Sequence, residues 1–113
     1  MITIYHNPRC SKSREGLQLL EAQGATLEIV KYLDTPLTKS KLKDILNALN
    51  IAPISLVRKN EQIWKDNYKG KALSDDEIIN AMVEHPKLIE RPIVVNGDKA
   101  VIGRPPSSVL TII

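Results

Sequence analysis

The sequence predicts an α/β fold, an open sheet made from an N-terminal βαβ unit and a C-terminal ββα unit with a helical stretch between them. Three observations predict it. Short runs rich in β-branched residues open the chain, recur near residue 30, and return as a pair near the C-terminus. A helix-forming stretch separates the first two runs, and strand–helix–strand within roughly thirty residues implies a parallel pair. Between residues 38 and 86 the apolar period lengthens from strand-like to helical.

Each element has its own local reason. Ile2–Tyr5 reads as a strand. A helix follows from about Ser11 to Gln23, its faces marked by Leu17, Leu20 and Glu21, and Gly24 stops it as the C′ residue. Leu27–Tyr32 reads as the second strand. Leu42, Ile45, Leu46 and Leu49 fall at i, i+3, i+4 and i+7 of a helix that Thr38 can cap. Pro53 opens a short helix through Ile54, Leu56 and Val57. Asn60–Leu73 fits no single period, although Trp64 and Tyr68 at i, i+4 suggest local packing. Ser74-Asp75-Asp76-Glu77 is a capping box before the apolar face of Ile78, Ile79, Met82 and Val83, and Pro86 ends that helix. Pro92–Val95 and Lys99–Ile102 are short strands joined by the hairpin signal Asn96-Gly97-Asp98. Pro105-Pro106 opens a last helix toward Ile113. This order is that of a thioredoxin-like sheet, βαβ then ββα, with a helical insertion. There is no internal repeat, linker or low-complexity segment, so residues 1–113 are expected to form a single domain.

Composition narrows the functional classes. Hydrophobic content of 42% and charged content of 26% are those of a soluble globular protein. Phe is absent, so the core must be aliphatic. A net charge of +3 suits a small anion, but nucleic-acid binding needs a clustered basic face that the chain does not display. No apolar run approaches a membrane span, and no signal-peptide pattern opens the chain. A single cysteine cannot form an internal disulfide. These features predict a cytoplasmic protein in a reducing compartment, with neither nucleic acid nor membrane as partner.

That cysteine, Cys10, stands where the first strand turns into the first helix, in Tyr5-His6-Asn7-Pro8-Arg9-Cys10-Ser11-Lys12-Ser13-Arg14. A helix N-terminus presents free N–H groups, and these stabilise both a thiolate and a neighbouring anion. Arg9, Lys12 and Arg14 add positive charge. His6, Ser13 and Arg14 are the candidates for tuning the thiolate. His6 reads as tuning the thiolate or orienting the loop, with a packed or solvent-facing histidine an equal reading. Ser13 reads also as a first-turn residue whose hydroxyl bonds the backbone or the sulfur. Ser13 occupies the position of the second cysteine in a Cys-x-x-Cys motif, so a redox cycle here must borrow an external thiol. Phosphatase-type chemistry needs an arginine six residues after the cysteine, and that position is Gly16.

Arg58, Arg91 and Arg104 lie at predicted element ends. The planar guanidinium suits a tetrahedral oxyanion through paired hydrogen bonds. Taken singly each reads as a surface charge; together they could converge on one anion. Pro92 is a candidate cis-proline, since cis bonds are largely confined to X–Pro. No His, Cys, Asp or Glu cluster has metal-ligand spacing, and no Gly-rich nucleotide loop is present.

His6–Arg14 resembles the active-site loop of ArsC-type arsenate reductases, the glutaredoxin-linked kind. Leu56-Val57-Arg58-Lys59, Glu90-Arg91-Pro92-Ile93-Val94 and Ile102-Gly103-Arg104-Pro105-Pro106 resemble the segments holding that family's oxyanion-binding arginines. The four motifs occur in order and span essentially the whole chain, and they are most similar to a short, arsenate reductase-related branch. The resemblance implies a thioredoxin-like fold with a helical insertion and a cis bond before Pro92. It implies Cys10 as nucleophile, with Arg58, Arg91 and Arg104 binding arsenate. It also implies glutathione as co-substrate rather than a bound cofactor, with glutaredoxin or another thiol donor as partner. Ser11-Lys12 stands where the classical enzymes of the family carry Gly-Thr. Two further readings share the scaffold: a different glutathione-dependent thiol reductase, and an Spx-like regulator binding RNA polymerase. Redox-switched regulators of that kind use Cys-x-x-Cys, which Ser13 denies here.

Overall fold

A computed structural model describes all residues, Met1–Ile113. The chain divides into two compact units. One comprises Met1–Thr35 and Arg91–Ile113; the other is Pro36–Glu90.

The first unit holds the sheet, in the order β2-β1-β3-β4: β1 (Ile2–Tyr5), β2 (Leu27–Val30), β3 (Ile93–Asn96) and β4 (Lys99–Ile102). β2 runs parallel to β1, with Ile4 opposite Ile29. β3 runs antiparallel to β1, with Ile4 opposite Val94, and β4 antiparallel to β3. Thus β1 has a parallel neighbour on one side and an antiparallel one on the other. This is the thioredoxin-like arrangement that the element order predicts. α1 (Ser11–Ala22) makes the crossover between the parallel strands. Ile2, Ile4, Leu20, Val94 and Val109 form the buried cluster between sheet and helices. This cluster is aliphatic, but the core as a whole is not the aliphatic one that the absence of Phe suggests: Tyr5, Tyr32 and Trp64 are buried as well.

Boundaries differ slightly from expectation. α1 stops at Ala22 and Gln23 is its C-cap, while Gly24 takes the predicted left-handed conformation at φ 72°. β2 stops at Val30 rather than Tyr32, because the Lys31 carbonyl accepts the amides of Asp34 and Thr35 and turns the chain. β3 starts after Pro92, which has no N–H to give a ladder. The β3–β4 loop is Gly97-Asp98, with positive φ at Gly97 only, the type II′ pattern. The last helix is a 3₁₀ helix, Pro106–Ile112, packed against α1.

The second unit is helical: α2 (Lys39–Leu49), α3 (Gln62–Asn67), α4 (Asp75–Glu84) and two 3₁₀ turns, Pro53–Leu56 and Pro86–Leu88. Thr38 Oγ1 caps α2 by accepting from the Lys41 amide at 3.1 Å. The Ser74–Glu77 capping box starts α4 as predicted. Leu42, Ile45 and Leu46 of α2 and Ile78, Ile79 and Met82 of α4 supply the buried apolar faces. The Lys39 ammonium pairs with Asp76 at 2.7 Å between these two helices. α3 fills part of the stretch without a single period, and Trp64 stacks on Tyr68 at 5.3 Å. No helix is long and apolar enough to cross a membrane.

Candidate active site around Cys10

Asn7 and Pro8 start the geometry. The Asn7 side-chain oxygen accepts the Arg9 amide at 3.0 Å, an Asx-turn, and the Asn7 carbonyl accepts the Cys10 amide at 3.0 Å. The chain therefore turns sharply out of β1 and delivers Cys10 as the N-cap of α1. Cys10 is buried, with 8% of its surface exposed. Burial alone pushes this thiol up. The Ser13 amide, the Arg91 charge, the Lys12 amide and an Arg91 hydrogen bond outweigh burial, and the net shift is downward. Cys10 is thus held toward the thiolate form.

Two of the three expected arginines meet at the sulfur. Arg104 Nη2 lies 3.7 Å from Cys10 Sγ, and Arg104 Nε donates to the Arg91 carbonyl at 3.0 Å. Arg91 acts on the same sulfur by charge and by hydrogen bond. Both precede cis prolines, at Arg91–Pro92 and at Arg104–Pro105. The Pro92 ring is wedged between two glycines. A Cβ on Gly103 would lie 2.6 Å from Pro92 Cγ, and one on Gly16 of α1 would lie 3.2 Å from it. Only glycine at 103 leaves room for this approach, and the Gly103 amide then donates to the Pro92 carbonyl at 2.8 Å.

Arg58 lies in the helical unit. Its Nη1 pairs with Glu61 at 2.6 Å and its Nε approaches Glu90 at 3.7 Å. Its backbone amide donates to the Leu88 carbonyl at 2.7 Å, beside an antiparallel bridge between Val57 and Ile89.

The candidate tuning residues separate in role. Ser13 acts on Cys10 through its backbone amide, while its hydroxyl faces His6. Ser13 Oγ accepts the Asn7 amide at 3.0 Å and lies 2.7 Å from His6 Nδ1. A buried hydroxyl hydrogen needs an acceptor, and the Nδ1 of a neutral ring is the one in reach. Burial first, then the Lys31 and Arg14 charges, keep the His6 pKa low and the ring neutral. His6 thereby orients the loop, and the groups that shift the thiol do not include it. Arg14 braces the same loop by donating to the Pro8 carbonyl at 3.0 Å. It is not among the groups that shift the thiol either.

The site thus combines a thiolate-favouring cysteine, helix N-terminal amides and two guanidinium groups. That set can stabilise a tetrahedral oxyanion beside a nucleophilic sulfur. The ArsC family model matches residues 5–112.

The chain belongs to the ArsC family.

Its relatives within the family are similar over most of their length, from 80% to nearly all of it. The chain is 49% identical to the uncharacterized protein YfgD of Escherichia coli (strain K12), covering 99% of this chain and 96% of that one. It is 47% identical to an arsenate reductase of Neisseria meningitidis serogroup A, covering 92% and 91%. A solved structure of an arsenate reductase from Vibrio cholerae superposes with a TM-score of 0.95 at 47% identity, covering 99% of this chain and 97% of that one. Sequence reasoning anticipated the first-turn amides but missed two parts of this ArsC site: the second cis bond and the Gly16–Pro92–Gly103 contact. Only the Gly-Arg-Pro-Pro run at 103–106 signalled that the backbone there was unusual.

Proposed function

We propose that this protein is an arsenate reductase completed by an external thiol. The observation that carries the reading is the approach of Arg104, with Arg91, to the Cys10 sulfur at the N-terminus of α1. The arsenate reductase relatives within the family support it. In this reading Arg91 and Arg104 hold the oxyanion and the α1 amides share its charge. Arg58 is the third ligand on the strength of its sequence context, and it would have to exchange part of its pairing with Glu61 and Glu90 for the anion.

The Cys10 thiolate attacks arsenic and expels water or hydroxide, forming a sulfur–arsenic(V) bond. Glutathione attacks that adduct. Arsenic leaves as arsenite with two electrons from the pair of thiols, which end as a disulfide. Glutaredoxin, or an equivalent thiol donor, then returns Cys10 to the thiol. With one cysteine the chain has no second thiol for this step. The setting in this reading is the reducing cytoplasm. Arsenite production with glutathione and glutaredoxin, for wild type and Cys10→Ser, tests it. The wild type should produce arsenite and Cys10→Ser should not. No arsenite from intact, reduced wild type would overturn the assignment.

A further inference from the structure

β1 is flanked differently on its two sides, and so is the Cys10 loop at its carboxyl end. Arg91 and Arg104 come from the start of β3 and the end of β4. On the β2 side lies a cavity of about 300 Å³ that the mechanism above leaves unused. Its walls are His6–Arg9, which lead into Cys10, and Lys31, Leu33 and Asp34, which follow β2. Open α/β sheets commonly place ligands in crevices outside the carboxyl ends of their strands, and this cavity lies beyond the carboxyl ends of β1 and β2. The volume is at the lower end of the range for small-molecule sites.

The chemistry of the lining is specific. Arg9 and Lys31 supply two cations and Asp34 one carboxylate, all on exposed side chains, and Leu33 is 36% exposed beside them. A simple anion site would not include the carboxylate. Two cations with one anion complement a small peptide that carries two carboxylates and one ammonium. Glutathione has that charge pattern, and the solitary cysteine requires such a thiol. We infer that the cavity lined by Arg9, Lys31, Leu33 and Asp34 is the seat for the donor thiol, with Arg9 and Lys31 taking its carboxylates and Asp34 its ammonium. This rests on the external-thiol part of the proposed function. It puts the donor and the oxyanion on opposite sides of the Cys10 loop.

The test needs no oxyanion. Oxidised glutathione reacts with the Cys10 thiolate by disulfide exchange. Sγ attacks one sulfur, the reagent's S–S bond breaks, and the departing half leaves as a thiolate that takes a proton from water. Cys10 ends oxidised in the mixed disulfide and the departing sulfur is reduced. The rate is followed by mass spectrometry beside that of 2-hydroxyethyl disulfide, which has the same reactive bond and no charge. Arg9→Ala and Lys31→Ala should each slow the glutathione reaction about fivefold, the scale of an exposed ion pair. The hydroxyethyl reaction should change less than twofold. Asp34→Asn decides between a seat and general attraction by positive charge. A seat loses the ammonium contact and reacts more slowly with oxidised glutathione, whereas general attraction predicts a faster reaction. Equal changes with both reagents, no change, or a gain in Asp34→Asn overturns the inference. Because arsenate is absent, a failure here leaves the arsenate assay unaffected, and the converse also holds.

Discussion

The sheet unit and the helical unit use arginine in opposite ways. In the helical unit Arg58 is matched by carboxylates, Glu61 three residues away and Glu90 on the neighbouring segment. In the sheet unit Arg104 reaches a sulfur 94 residues distant in sequence, and Arg91 acts on the same atom. The first arrangement neutralises charge and fastens a turn. The second concentrates positive charge on one nucleophile. The same residue type serves structure or chemistry according to whether the fold offers it a carboxylate or a thiol.

Mutations can break this division in order of size. Leu42 of α2 is fully buried, and Leu42→Ala should cost about 2–5 kcal/mol by urea unfolding. Since every group shifting the thiol lies in the sheet unit, the pH midpoint of Cys10 alkylation in the folded variant should stay put. A shifted midpoint would break the division. Gly103→Ala should cost about 1–3 kcal/mol from overpacking against Pro92. Unlike Leu42→Ala it should also alter the alkylation profile, because Arg104 is the next residue. Ser74→Ala removes one half of the capping box and should cost about 1 kcal/mol, again without touching the thiol.

The smallest change in stability, and the most direct reading of the site, comes from Arg91→Gln. Removing the charge and hydrogen bond that favour the thiolate should move the alkylation midpoint upward. The linked effect on folding has a definite sign. A thiol whose pKa is lower in the folded state binds fewer protons there than in the unfolded chain. Cys10 therefore contributes stability that is fully present above the ordinary thiol value of about 8.5 and lost as pH falls through the folded pKa. Wild type should gain stability relative to Cys10→Ser as pH rises across that window, and Arg91→Gln should shrink the gain. A flat difference would remove the claim of an activated thiol.

Much of the fold was legible because its signals are local. Thr38, the Ser74–Glu77 box and Gly24 each act within a few residues, and the structure uses each as predicted. The hairpin signal Asn96-Gly97-Asp98 likewise forms its turn, with Asn96 drawn into β3. α3 was not legible, because its six residues are too few to display a period. The end of β2 was missed for a related reason. Val30, Lys31 and Tyr32 are acceptable in a strand, and a turn that engages the Lys31 carbonyl ended it instead.

The site divides along the same line. By itself the sequence determined that a lone cysteine would stand at a helix N-terminus, that no internal disulfide could form, and that three arginines lay at element ends. Those are properties of neighbours along the chain. Only the tertiary structure decided that Arg91 and Arg104 face Cys10 while Arg58 pairs with two glutamates. It also decided that Ser13 acts through its amide rather than its hydroxyl. The physical reason is range. Caps and turns are settled by groups a few bonds apart, whereas the field at the Cys10 sulfur comes from residues that meet only after β1, β3 and β4 have paired and Pro92 has seated between Gly16 and Gly103.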